Sequence, residues 1–154
     1  MAQTAQQVSV DTVGLQALLI GTPVLTLEGE MPVEFLQSGD RVLTRAGMRR
    51  VAQVAVTVVQ NARVVMIAHD TLGVDRPSAD VTISAAQQIL IRDWRAKALT
   101  GKAQAMGPAG RLVDGEYIRA AVLPEARFFT LTFAEDAVIY AGGLELACPA
   151  LVSA

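Results

Sequence analysis

One cysteine and one histidine in 154 residues set the first limits on what this chain can do. With Cys148 alone there is no internal disulfide and no cysteine metal centre. A zinc site built from His and Cys needs more ligands than Cys148 and His69 supply. The acids Glu28, Glu30, Glu34 and Asp40 are strung out with nothing in their spacing that compels a Ca2+ or Mg2+ site, so no metal or other cofactor is expected. Basic residues are not in excess: the net charge is −2, and the densest group is Arg45, Arg49 and Arg50. That argues against nucleic acid as a partner, since such a surface carries a basic patch or stripe. No apolar run reaches the ~18 residues of a membrane span, and the N-terminus (MAQTAQQVSVDTVG) lacks the charged start and apolar core of a signal peptide. No membrane contact is therefore expected, and the compartment is cytoplasmic by default.

What is present is an apolar, moderately charged chain: 52% apolar and 18% charged residues. This suits one globular domain with a sizeable core. Residues 1–14, polar and small, read as a flexible N-terminal arm, residues 15–148 as the domain, and 149–154 as a C-terminal tail behind Pro149. Short β-branched or alternating runs separated by turn residues point to an all-β fold of about ten short strands. They include Thr22–Leu27, Asp40–Arg45, Val51–Gln60, Arg63–Ala68, Asp80–Ile83, Gln88–Arg92, Tyr117–Val122, Arg127–Phe133 and Ala137–Ala141. Gln60-Asn61-Ala62 reads as a hairpin turn, Ser84–Gln87 as a turn and Met106–Gly110 as loop. At most one short helix is expected, within 94–104, with Trp94 anchoring it against the sheet. Core expectations are Val24, Leu25, Val33, Phe35, Leu36, Val42, Leu43, Val64, Met66, Ile83, Ile89, Leu90, Leu131, Phe133, Val138 and Ile139. His69 reads as a loop histidine with local backbone bonds, and Cys148 as a buried, inert thiol.

The most distinctive text is Gly21 to Gly47, GTPVLTLEGEMPVEFLQSGDRVLTRAG. It resembles the opening of the Hint module, the Hedgehog/intein autoprocessing domain, and most of all its bacterial stand-alone branch. Thr82–Leu90 (TISAAQQIL) is similar to the second block of that family, Arg111–Gly115 to a later segment, and Arg127–Gly143 (RFFTLTFAEDAVIYAGG) to the penultimate block. The blocks come in family order over about residues 15–146. The resemblance implies a Hint-like β-fold with a pseudo-twofold arrangement.

It also implies a chemistry, the acyl shift. In the family a Cys or Ser begins the module and attacks the carbonyl just before it, while a His of the second block, beside a Thr or Ser, polarises the scissile amide. The first position, four residues before the Gly-Thr pair, is Ala17 here, and a methyl group cannot attack a carbonyl. The His position is Gln87, which can donate a hydrogen bond but not shuttle a proton near neutral pH. Ser84 retains the small hydroxyl. Asp136 falls at or beside a place where the family carries His, and the tail Leu146-Ala147-Cys148-Pro149 lacks the terminal Asn of a splicing intein. The leading expectation is a Hint-like domain without autoproteolysis or splicing. It would be a non-catalytic binding or structural module for an unknown protein or peptide partner, monomeric or a small homo-oligomer, with Ala17, Ser84, Gln87 and Asp136 marking the vacated site. The alternative is an active autoprocessing enzyme with another nucleophile, such as Thr12 or Thr22, cleaving near residues 16–22.

Overall fold

The computed structural model describes residues 5–8 and 15–150. Its centre is a pair of fifteen-residue antiparallel strands, β7 (Gln53–Ile67) and β11 (Ile118–Thr132). Around them run β1 (Ala5–Val8), β2 (Leu18–Leu19), β3 (Pro23–Thr26), β4 (Gly29–Pro32), β5 (Arg41–Thr44) and β6 (Gly47–Arg50). The second half supplies β8 (Val81–Ser84), β9 (Gln88–Ile91), β10 (Ala105–Pro108), β12 (Ala137–Ala141) and β13 (Leu144–Cys148). The single α-helix among the described residues is α1 (Trp94–Thr100), capped by the Asp93 carboxylate on the Arg95 amide and ended by Gly101 at φ 78. In one sheet β11 pairs with β7 and β2, and β8 pairs with both β2 and β7, closing a ring; β1 adds in parallel along Val56–Val59 of β7. The other sheet runs β10-β9-β13-β12-β3-β5-β6, with β4 beside β3.

The all-β, pseudo-twofold architecture follows from strand positions. β3 and β9 lie 65 residues apart at both ends, and so do β7 and β11. Two cross-strand pairs join residues with the same displacement of 65, Gln60 with Glu125 and Leu18 with Ile83, and these lie on the axis. In the second sheet the β12–β13 hairpin stands between β3 and β9.

Between Gln60–Glu125 and Ala62–Leu123 the ladder has a gap, where Asn61 (φ 52) faces Pro124. Proline has no N–H to give. The chain inverts its faces here. Val54 and Val56 point into the larger core cluster and Val59, Ala62 and Val64 into the smaller, yet Val65 and Ile67 are back in the larger. The expected hairpin at 60–62 is thus a half-twist within one strand. A two-residue hairpin turn of the favoured type needs positive φ at both central residues, and among the non-glycine residues here only Asn61 has it. For the same reason the extended pieces 117–122 and 127–133 are one strand. Met106–Pro108, expected as loop, pairs with β9, and Ala109–Leu112 is a 3-10 turn.

Two hairpins share one device. Thr26 Oγ1 donates to Gly29 O and accepts from Glu28 N; Thr44 Oγ1 donates to Gly47 O and accepts from Ala46 N. Both glycines sit at φ 100, which favours glycine. Glu34 accepts the Gly21 amide at 2.8 Å, and Asp40 accepts that of Gln37. The charged residues of the opening stretch therefore tie its corners together.

Most core expectations are buried, including Val24, Val33, Leu36, Val42, Val64, Ile83, Ile89, Leu131, Phe133 and Ile139. Leu25, Leu43 and Val138 are half-buried. Phe35, Met66 and Trp94 are corrections: each is exposed, Trp94 to 70%. Phe35 ends a single 3-10 turn whose inward positions Val33 and Leu36 already fill. Trp94 is the first residue of α1 and carries the Arg95 guanidinium over its ring at 4.7 Å; Ala96 is the helix residue turned inward. Among the described residues no helix is long and apolar enough to cross a membrane.

Candidate functional site

The segment before β2 enters between two strands. Leu18 pairs with Ile83 of β8 on one side and with Phe129 of β11 on the other. That register puts Ala17 between Ser84 and Thr130. Ser84 Oγ donates to Leu15 O at 2.7 Å, and Thr130 Oγ1 donates to Gln16 O at 3.2 Å. Just beyond, Ile20 N donates to Arg127 O. Two successive carbonyls upstream of Ala17 are thus gripped by hydroxyls from opposite neighbours. Ala17 is only 2% exposed and packs with Val59, Ala62, Val64, Ala126 and Phe128.

Ser84 is fully buried, and the turn it begins closes with Gln87 N donating to Ser84 O. The Gln87 side chain leads elsewhere. Its amide nitrogen donates to Ala147 O at 2.8 Å and to Gln88 O at 3.0 Å, tying the start of β9 to β13. Asp136 is exposed and accepts from the Ala150 amide at 2.9 Å, next to the parallel bridge between Phe133 and Ala150. It also borders a cavity of about 460 Å3 with Phe133, Glu135, Arg49 and Arg50. The four residues marked by sequence therefore serve two places. Ser84 holds the incoming segment 15–17, which ends at Ala17, while Gln87 and Asp136 hold the backbone of 147–150.

Thr130 is the residue that sequence reading missed. Nothing local marks it, because its partner carbonyl lies 114 residues away; only the β2–β11 register brings the two together.

Proton-transfer groups are scarce here. His69 stands in the exposed loop after β7, where both its backbone N and its ring Nδ1 contact Asp80 Oδ1, at 2.9 and 3.0 Å. The hydrogen bond that the Asp80 carboxylate accepts from the ring raises the imidazole above its ordinary value, and the same bond lowers the carboxylate. The expected local backbone bond is therefore a carboxylate bond. Cys148 is buried, and burial pushes its thiol up to about 12, so it is a poor source of thiolate. Thr22 Oγ1 donates to Leu19 O at 2.7 Å in a buried position, and Thr12 lies outside the described residues. Among the described residues no group of three His, Cys, Asp or Glu side chains is placed to hold a metal ion. The arrangement binds carbonyls and amides; the groups touching Leu15 O and Gln16 O are neutral hydroxyls.

A family model described as the Hint domain matches residues 16–148. Among solved structures the chain is similar to a bacterial intein-like domain from Clostridium thermocellum, with a TM-score of 0.65 and 13% identity over 88% of this chain and 99% of that one. It is also similar to the gp41-1 intein (TM-score 0.57, 15% identity, 84% of this chain and 96% of that one). The MchDnaB-1 intein is similar again (0.55, 15%, 86% and 99%). At such identities the likeness speaks for the fold. No curated protein matches the chain.

Proposed function

From its membership of the Hint domain family, which the match over residues 16–148 establishes, we propose that this chain is a Hint domain without autoprocessing, a binding or structural module that holds backbone segments where its relatives would cut. One observation carries the reading: at the first position of the module stands Ala17, buried, with the hydroxyls of Ser84 and Thr130 spent on the two carbonyls upstream of it. An acyl shift needs an atom at position 17 that can form the ester or thioester bond, and a methyl group has none. The position expected to hold the activating His is Gln87, whose amide links β9 to β13 and cannot cycle a proton near neutral pH. Around Ala17 the groups serve instead as clamps, Ser84 and Thr130 on the incoming chain and Gln87 and Asp136 on the outgoing chain.

The test is intact-mass spectrometry of the full chain after long incubation with and without a thiol or hydroxylamine. A single unchanged mass supports the clamp. Fragments arising near residues 16–22 would overturn it in favour of an active enzyme. Restoring the groups by Ala17→Cys with Gln87→His should give thiol-induced cleavage before residue 17. A folded double variant that stays whole would remove the assignment of these two positions.

A further inference from the structure

Three arginines from three different elements converge on one buried carboxylate. Glu145, on β13, has a side chain 5% exposed. Arg76, from the loop between β7 and β8, reaches its Oε1 at 3.2 Å. Arg92, just past β9, reaches Oε2 at 3.0 Å, and Arg45, just past β5, approaches the same Oε2 through Nε at 3.4 Å. No other acid is ion-paired with any of the three among the described contacts. The fold is shaped to deliver them. Gly143, two residues before Glu145, lies so close under the loop that a Cβ there would come within 2.6 Å of Asp75 O and Ser78 N. The β5–β6 turn is pinned by Arg45 N donating to Val138 O.

A structural staple for one buried carboxylate needs one cation, or two. Here there are three, in a chain whose net charge is −2. Two guanidinium groups that share a single oxygen stand within a few Å of each other, and like charges so close repel. The Arg45 and Arg92 side chains are 40% and 41% exposed, so their outer edges face solvent. A guanidinium has five donors in a planar fork, and the described bonds of these two use few of them. Arg76 lies deeper: its Nη2 donates to Leu90 O at 3.5 Å, and its buried Nε has no partner among the described residues.

We propose that Arg45, Arg76 and Arg92 form a receiving site for a small tetrahedral oxyanion of the phosphate type, seated on the outer edges of Arg45 and Arg92. Three positive charges against one negative leave a surplus that matches a dianion, and paired forks suit phosphoryl oxygens better than a spherical ion. Two outer guanidinium edges around one carboxylate fit a small anion rather than a nucleic-acid backbone, which needs a longer run of cations. The site is separate from Ala17, Ser84 and Thr130, and does not depend on whether the domain cleaves itself.

The experiment uses the full, unmodified chain titrated with sodium phosphate at constant ionic strength, with sodium chloride as control. Arginine Nε–Hε resonances are followed by NMR and heats by calorimetry, in parallel with O-phosphoserine to separate free phosphate from a phosphomonoester. The expected result is a saturable response with Kd of ~1 mM, with shifts concentrated at Arg45 and Arg92 and absent with chloride. Arg45→Gln combined with Arg92→Gln should weaken it about tenfold or more, and Glu145→Gln, where it folds, should tighten it by removing the competing carboxylate. No arginine shift at ~20 mM phosphate, far past such a Kd, overturns the proposal, and this arm needs no variant. So does a chloride response of equal size, or binding unchanged in a folded R45Q/R92Q protein.

Discussion

At the scale of single residues, environment decides what each titratable group can do. Cys148 is 7% exposed and its thiol is held near 12. At pH 8 its thiolate fraction is ~10⁻⁴, against roughly a quarter for a free thiol. Alkylation of the native protein should therefore be slower than that of a model thiol by three orders of magnitude or so, and should become fast in denaturant; rapid native labelling would show an open C-terminal strand. His69 and Asp80 are both exposed and linked. Because the folded state raises the imidazole, its stabilisation is complete below about pH 6.5 and fades as pH rises through the folded-state value. The lowered Asp80 gives the mirror case: its contribution stands above the unfolded value of about 3.9 and fades as pH falls through the folded one. The loop 69–80 should accordingly be best held between the two transitions. Asp80→Asn should lower the His69 titration, followed by NMR, leaving only the smaller pull of Asp70; an unchanged titration would deny the pair. The chemistry of the site was partly legible at this scale. Ser84 and Gln87 could be placed by their block, and Ala17 by its distance from Gly21-Thr22. Thr130 could not, because a hydroxyl in a run of alternating residues gives no hint of a carbonyl 114 positions away. Trp94 and Phe35 show the converse: an aromatic side chain names its appetite for burial, but the neighbouring positions decide which of them gets the interior.

At the scale of elements, β3 and β5 were read as strands, whereas their hairpin partners β4 and β6 were not. Each hairpin ends in Thr-x-x-Gly, where the hydroxyl binds the turn and the glycine takes positive φ, so the local code and the tertiary structure agree. At Gln60-Asn61-Ala62 they part. Asn tolerates the left-handed region whether the chain reverses or merely twists, and only the partner strand, with Pro124 opposite, fixes the outcome. This gives a prediction. Asn61→Val places a β-branched residue at φ 52 and should destabilise the fold by about 1–3 kcal/mol, read from urea unfolding. Asn61→Gly should be close to neutral or better, since it removes the same strain. Equal losses from both would mean that the Asn side chain, not the backbone, matters there.

At the scale of the whole molecule, the closed ring β7–β11–β2–β8 leaves one stretch of β7, Val56–Val59, to be met by β1. The all-β class was readable from strand and turn spacing, the pseudo-twofold expectation only from family resemblance. The displacement of 65 that places Gln60–Glu125 and Leu18–Ile83 on the axis was not, because the two halves share position rather than sequence. The pairing of β1 has a consequence for behaviour in solution. Residues 5–8 are tied to the body through residues 9–14, so the strand is presented to its acceptor at an effective concentration on the order of millimolar. A strand from a second molecule must compete against that. The intact chain should therefore stay monomeric by sedimentation up to high micromolar concentrations, whereas a version lacking residues 1–8 should associate at far lower ones, and adding the missing segment as a peptide should reverse it only at millimolar excess. If truncation leaves the sedimentation unchanged, the acceptor stretch is not sticky enough to need a guard. On this expectation residues 5–8 would act as a tethered competitor, and the concentration at which the truncated version associates would measure how strongly they guard Val56–Val59.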